Sequence, residues 1–246
     1  MKLLKKTILI LLCVLTSAFI LLILIGIFAG SQENIEDRVL ENVKIDYGFD
    51  NLPGYMWHNH RIIIVEEFDT LISSYPGKML YSADKTTVRE LLNAVVPLKD
   101  FVWRTEGNVI HIISKSLDKR ADYQLNAEIE QFSETGNYYD MVVMVYGQVR
   151  HRNFPEELSP LLLSFFNPDF KKSLCPFKIK VRNITLRQLL DRIALESKGK
   201  IHYYSVHRVR ERDGSIILQM DFSEEGVGTL SEIKDPSEPG PPCPKI

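Results

Sequence analysis

The segment Thr87–Val95, TVRELLNAV, returns almost unchanged as Thr185–Ile193, TLRQLLDRI. Each opens on T-x-x-E/Q, the capping box, in which the threonine hydroxyl accepts the third helical N–H and the acid or amide reaches back. Val88, Leu91, Leu92 and Val95 then fall at helical spacing, as do Leu186, Leu189, Leu190 and Ile193. The chain must therefore bury the single apolar stripe of two similar helices. Pro97 cuts the first helix short and Gly199 closes the second.

The flanks repeat as well. Lys78–Ala83 precedes the first helix, and the alternating strand Phe177–Arg182 precedes the second. Phe101–Arg104 and Val109–Ile113 follow the first, joined through Gly107-Asn108. Ile201–Val209 and Ile216–Met220 follow the second, joined through Asp213-Gly214. Such turns between apolar runs predict hairpins. Each unit reads as strand, capped helix, hairpin, and a helix with one greasy stripe laid on a small sheet is an α+β solution.

Between the units, Asn137–Val149 is either a buried strand or a helix capped by Asn137. Its β-branched and aromatic residues favour strand. Its length and Asp140, three after Asn137, favour helix, which is the reading preferred. The middle then becomes a degenerate third unit, ending in an irregular apolar excursion around Leu161–Phe166.

Lys2, Lys5 and Lys6 precede a stretch, Thr7–Ala29, rich in Leu, Ile, Val and Phe and free of charge. A bilayer core takes about 20 apolar residues in a helix, more than the roughly 7–15 of a cleaved signal peptide. The expectation is an uncleaved signal anchor touching the lipid bilayer through residues 7–29. By the positive-inside rule its lysines stay cytoplasmic and the rest is exported. The expected location is a bacterial inner membrane, single-pass, with the C-terminal region in the periplasm. Ser231–Ile246 is proline-rich and reads as a disordered tail.

The expected fold class is thus α+β: an N-terminal transmembrane helix followed by repeated strand–helix–hairpin units, each helix packed on a small sheet. The expected division is 1–30 anchor, 31–120 first unit, 121–172 degenerate middle unit, 173–222 second unit and 223–246 tail.

With 30 Lys and Arg against 32 Asp and Glu, the chain is not organised to grip a polyphosphate, and no nucleic-acid partner is expected. The run His207–Arg212 is basic, and reads as a solvated edge strand and turn. Of three cysteines, Cys13 lies in the apolar stretch, while Cys175 and Cys243 could pair in an oxidising compartment.

The stretches DKTTVRELLNAVVPLKDFVWRTEGNVIHII and FKIKVRNITLRQLLDRIALESKGKIHYY resemble the short N-terminal domain shared by secretins and TonB-dependent receptors, and secretin N-domains generally. Those families show a strand, T-x-x-E-x-L-x-x-L/I, then a strand pair ending in G-N-x-I-x-I. The resemblance implies a periplasmic docking module that binds partner proteins and carries no catalytic residues. It covers well under half the chain, and no channel or receptor function is expected from it.

Among candidate chemistries, His58 and His60 would share a face if their stretch were extended, and neutral imidazoles suit zinc or copper. Glu66, Glu67 and Asp69 lie near but lack motif spacing. No nucleophile elbow, zinc-protease helix, P-loop or dinucleotide fingerprint occurs. No catalytic residue and no cofactor is assigned. Leu161, Leu162, Phe165 and Phe166 are the candidate partner-binding residues. The function expected is a membrane-anchored, envelope-facing scaffold that docks a partner protein. The alternatives are a metal-dependent or other hydrolase of the envelope and a small-ligand sensor.

Overall fold

The computed structural model describes residues 34–72, 77–149, 157–160, 175–197 and 201–224. They form an α+β fold in which one topology occurs twice. The first repeat runs from a 3-10 turn (Ile35–Asp37) through β1 (Val39–Gly48), α1 (Leu52–His60), β2 (Ile63–Asp69), β3 (Lys78–Thr87), α2 (Val88–Val95), β4 (Phe101–Glu106) and β5 (Val109–Ser114). A short helix, α3 (Lys115–Asp118), leads out of it. The second runs from a 3-10 turn (Gln124–Asn126) through β6 (Glu128–Gly136), α4 (Tyr138–Val149), β7 (Glu157–Pro160), β8 (Phe177–Thr185), α5 (Leu186–Glu196), β9 (Ile201–Arg210) and β10 (Ile216–Glu224).

Local chemistry sets the elements. Both capping boxes close: Glu90 N–H donates to Thr87 Oγ1 and Gln188 N–H to Thr185 Oγ1, each at 3.2 Å. The return bonds, from Thr87 and Thr185 N–H to Glu90 and Gln188, are 2.8 and 3.0 Å. The residue after each 3-10 turn takes the first helical N–H, Val88 to Arg38 O and Leu186 to Ala127 O. Gly107 turns the β4–β5 hairpin at φ +62, where a side chain would be strained. Tyr138–Val149 is a helix, closed by reciprocal bonds between Asn137 and Asp140.

In each repeat the first strand pairs antiparallel with the third as a two-stranded ribbon, β1 with β3 and β6 with β8. The other three strands form a sheet, β4-β5-β2 and β9-β10-β7, and these two sheets fuse edge to edge. The result is one six-stranded sheet in the order β4-β5-β2-β9-β10-β7, joined by parallel pairing of β2 with β9 from Glu66↔Ser205 to Asp69↔Arg208.

Alternation along β2 decides where the cores lie. Ile64 and Phe68 face a core with Leu40, Met56, Leu91 and Leu92 of the first repeat. Ile63 and Val65 face a core with Phe132, Met141, Leu189 and Leu190 of the second. The helices and ribbon of each repeat therefore cover opposite faces of the shared sheet. Strand directions reverse as well: β5 runs with β2, whereas β10 runs against β9. The repeats are related by a half-turn about a line across the sheet, plus a step along it.

This corrects the fold expected from sequence. The units do not each own a small sheet, because their hairpins pair into a common one. A transmembrane helix was expected as well; among the described residues no helix is long and apolar enough to cross a membrane. The stretch 7–29 and the excursion Leu161–Phe166 lie outside the described residues. Nor is the middle a third unit, since β6 and α4 complete the second repeat by pairing with β8 and packing beside α5. The C-terminal strand extends to Glu224, beyond the expected start of the tail. The basic run around His207 is not an edge either: β9 has β2 on one side and β10 on the other.

Candidate functional site

β2 is buried along its whole length and yet carries Glu66, Glu67 and Asp69. Charged groups at such positions persist only with partners. For Glu67 these come from both repeats. Arg187 on α5 forms a fork on its carboxylate, Nε to Oε1 at 2.7 Å and Nη2 to Oε2 at 2.8 Å. The third arm of the guanidinium, Nη1, reaches Asn126 Oδ1 at 2.7 Å. His111 on β5 lies between two carboxylates, Nδ1 3.1 Å from Glu67 Oε1 and Nε2 3.1 Å from Asp191 Oδ2. Tyr204 on β9 donates to the other oxygen of Asp191 at 2.7 Å. The network thus bolts α5 to strands of both repeats.

Burial by itself raises the Glu67 pKa, but hydrogen bonds and charge from Arg187 and then His111 bring it down to about 2. Burial also disfavours the His111 cation. Asp191 and then Glu67 outweigh this and lift its pKa to about 9. The carboxyl groups of Glu67 and Asp191 thus face the guanidinium of Arg187 and the imidazole of His111, with Glu106 3.9 Å from Arg187. Burial holds the Tyr204 hydroxyl well above its ordinary range, so it donates as a neutral phenol.

Asp69 anchors a second set of bonds, one of which crosses the joint. It accepts from Ser116 Oγ at 3.0 Å and from Leu71 N–H at 3.2 Å, and Arg208 Nη1 lies 3.3 Å from Oδ2. Arg208 belongs to the basic run, and its charge is spent on this buried acid.

A chemical role for the network meets two obstacles. His111 and Glu67 have no exposed surface, so neither can touch a substrate in this structure. Glu106, His111 and Asp191 bring donor atoms within 4.8 Å of one another, a spacing a metal ion could use. Both imidazole nitrogens, however, face carboxylates as donors, which leaves no lone pair, and Arg187 stands 3.9 Å from Glu106. These residues fit a closed ion-pair network better than a cation site.

His58 and His60 fall in the last turn of α1 rather than in a strand. Two residues apart on a helix, they point to different sides. His58 is exposed, while His60 packs edge-on against Tyr55, and burial followed by Arg38 pushes its pKa down. The structure does not bring the pair together. Leu161, Leu162, Phe165 and Phe166 lie outside the described residues.

No family model, curated protein or solved structure matches this chain. The resemblance to secretin and receptor N-domains therefore stands on the quoted residues alone.

The accessible features lie at the ends of the sheet. Among the described residues, β4 pairs only with β5 and β7 only with β10. Beside β4, Asn93 on α2 is exposed and accepts from Trp103 Nε1 at 3.0 Å. A groove of about 420 Å3 opens at the start of the strand, lined by Met79, Leu80, Ala94, Val95, Pro97 and Phe101 among others.

The sequence reading missed the network because its members are scattered. Two signals pointed to it. Glu66-Glu67-Phe68-Asp69 continues an unbroken apolar strand, so these acids had to be buried. Arg187 and Asp191 share one side of a helix at i, i+4, beside its apolar stripe.

Proposed function

We propose that this chain is a non-catalytic docking module that receives a partner protein along an end of its six-stranded sheet. The observation that carries this reading is the β2–β9 joint. There one folded unit receives another by parallel strand addition, and a helix from the second unit locks the contact from above. Strand addition at a sheet edge is a general mode of protein recognition. The spent charges of the interior support the same reading, since the most acidic stretch of the sheet is occupied with holding the two repeats together.

An envelope-facing, extracytoplasmic location forms part of the proposal. It is supported by Cys175, which is disulfide-bonded, a state that suits an oxidising compartment.

The test is site-specific photocrosslinking in cells that make the full chain. A photoreactive side chain at Asn93, beside the β4 edge, is expected to give a discrete protein adduct. The same group at Asp84, exposed on β3, is expected to give little. Equal, diffuse labelling from both positions would overturn the docking reading.

A further inference from the structure

The internal joint between the repeats is a template whose two halves are both still present at the ends of the sheet. β4 is the first-repeat counterpart of β9, and β7 is the second-repeat counterpart of β2. Among the described residues each has a strand on one side only. We infer that the partner is a second copy of this chain, docked head to tail with β7 of one copy pairing parallel to β4 of the next. The inference rests on the docking reading and names the partner and the surface.

Direction permits it. β4 runs against β5, and β5 runs with β2, so β4 is antiparallel to β2. β7 runs with β10 and against β9, and β9 runs with β2, so β7 is antiparallel to β2 too. The two end strands therefore point the same way. A copy displaced along the sheet brings its β4 beside β7 in the parallel sense already used by β2 and β9. Length also matches: β7 has four residues, and β2 meets β9 over the four positions Glu66–Asp69.

The helix that locks the joint has its counterpart at the right end. Aligning TVRELLNAV with TLRQLLDRI places Arg89 at the position of Arg187 and Asn93 at that of Asp191. Arg187 and Asp191 are buried on the neighbouring repeat, whereas Arg89 and Asn93 are exposed. Arg187 and Asp191 meet Glu67 on β2 and His111 on β5, so the surface Arg89 and Asn93 would meet is the face of β7 and β10 turned away from the second repeat's own helices. There Ile217, Gln219 and Asp221 are only half-buried. In the first repeat the corresponding face is covered by α5. Two half-turns cancel, so successive copies are related by a step along the sheet, and the heterologous contact builds an open chain of copies rather than a closed ring.

The test uses the full chain carrying a photoreactive side chain at Asn93, mixed from two isotopically distinct batches, with sedimentation run in parallel. The expected result is mass that climbs from one copy to two and beyond as concentration rises. Mixed-isotope adducts are expected to map from Asn93 to residues 157–160 or 216–221. Gln219→Lys, on the receiving face, should abolish both while leaving the thermal melt unchanged. A chain that stays monomeric but crosslinks from Asn93 to a different protein in cells would overturn self-assembly and keep the docking reading. Absence of any discrete adduct would overturn both. Self-adducts mapping elsewhere, or unaffected by Gln219→Lys, would overturn the β7–β4 geometry.

Discussion

Helices α2 and α5 begin with the same cap and carry the same leucine pair, yet their polar flanks have opposite fates. Arg187 and Asp191 on α5 are buried in the charge network at the joint. Arg89 and Asn93, at the same places on α2, remain at the surface. There Arg89 pairs with Glu36 at 2.8 Å and Asp37 at 3.2 Å. The local sequence fixes the helix and its apolar stripe. What the flank does depends on whether another repeat lies above it.

The sharpest way to break the comparison is to truncate the two arginines. Arg187→Ala leaves the Glu67 carboxylate buried without its main partner, a loss that costs about 3–5 kcal/mol. Arg89→Ala removes an exposed pair in contact with water, a loss of about 0.2–1 kcal/mol. Urea unfolding of both variants measures the difference. Equal losses would mean that the joint does not set the value of the position.

The leucines should behave alike instead. Leu92 and Leu190 have no exposed surface, one in each core. Truncation of either to alanine is expected to cost about 2–5 kcal/mol, varying with how far each site collapses. A large loss at one and none at the other, read by thermal melting, would show that one repeat contributes little to the cooperative unit.

The leucine stripes and caps were legible in the sequence because they are local. A cap spans three positions and a stripe repeats within a turn, so TVREL and TLRQL declare themselves without a tertiary context. The hairpins were legible for the same reason, through Gly107-Asn108 and Asp213-Gly214. The joint was not. Glu67 and Arg187 stand 120 residues apart, and nothing near either one names the other. The basic run around Arg208 misled for a related reason. Arg208 reads as solvated until β2 is known to lie beside β9, and then its partner is the buried Asp69. The same fusion of edges turned two expected small sheets into one of six strands.

The joint should also carry its own pH dependence. His111 faces Glu67 on β2 and Asp191 on α5; Arg187 and Tyr204 bond those two carboxylates, and Glu106 on β4 lies close by. Its pKa is raised from 6.5 to about 9. A raised basic group contributes stability in full below its unfolded pKa and loses it as pH rises through the folded one. The melting temperature is therefore expected to fall from about pH 6.5 to beyond 9. Glu67 has the opposite sign: its pKa is lowered from 4.5 to about 2, so its contribution is complete above 4.5 and fades towards 2. In His111→Gln the alkaline decline should flatten. If the variant kept the wild-type decline, another group would own it. Such a result would leave the joint without its expected signature and weaken its contrast with the face around Arg89.

The smallest effect is expected where the repeats are most alike. Thr87 and Thr185 each accept the third helical N–H at 3.2 Å, and each N–H is bonded in return by Glu90 or Gln188. Alanine at either position removes the hydroxyl acceptor but leaves the return bond, at a cost of about 1 kcal/mol. The cost should be nearly equal in the two repeats, because the cap precedes the stretch where their environments diverge. Hydrogen exchange of the Glu90 and Gln188 amides reports each cap separately from global unfolding. Faster exchange confined to the altered helix is the expected outcome. If Thr185→Ala also quickened exchange at β9 while Thr87→Ala spared β4, the α5 cap would be coupled to the joint. The two helices would then differ from their first residue onward, and not only at Arg187 and Asp191.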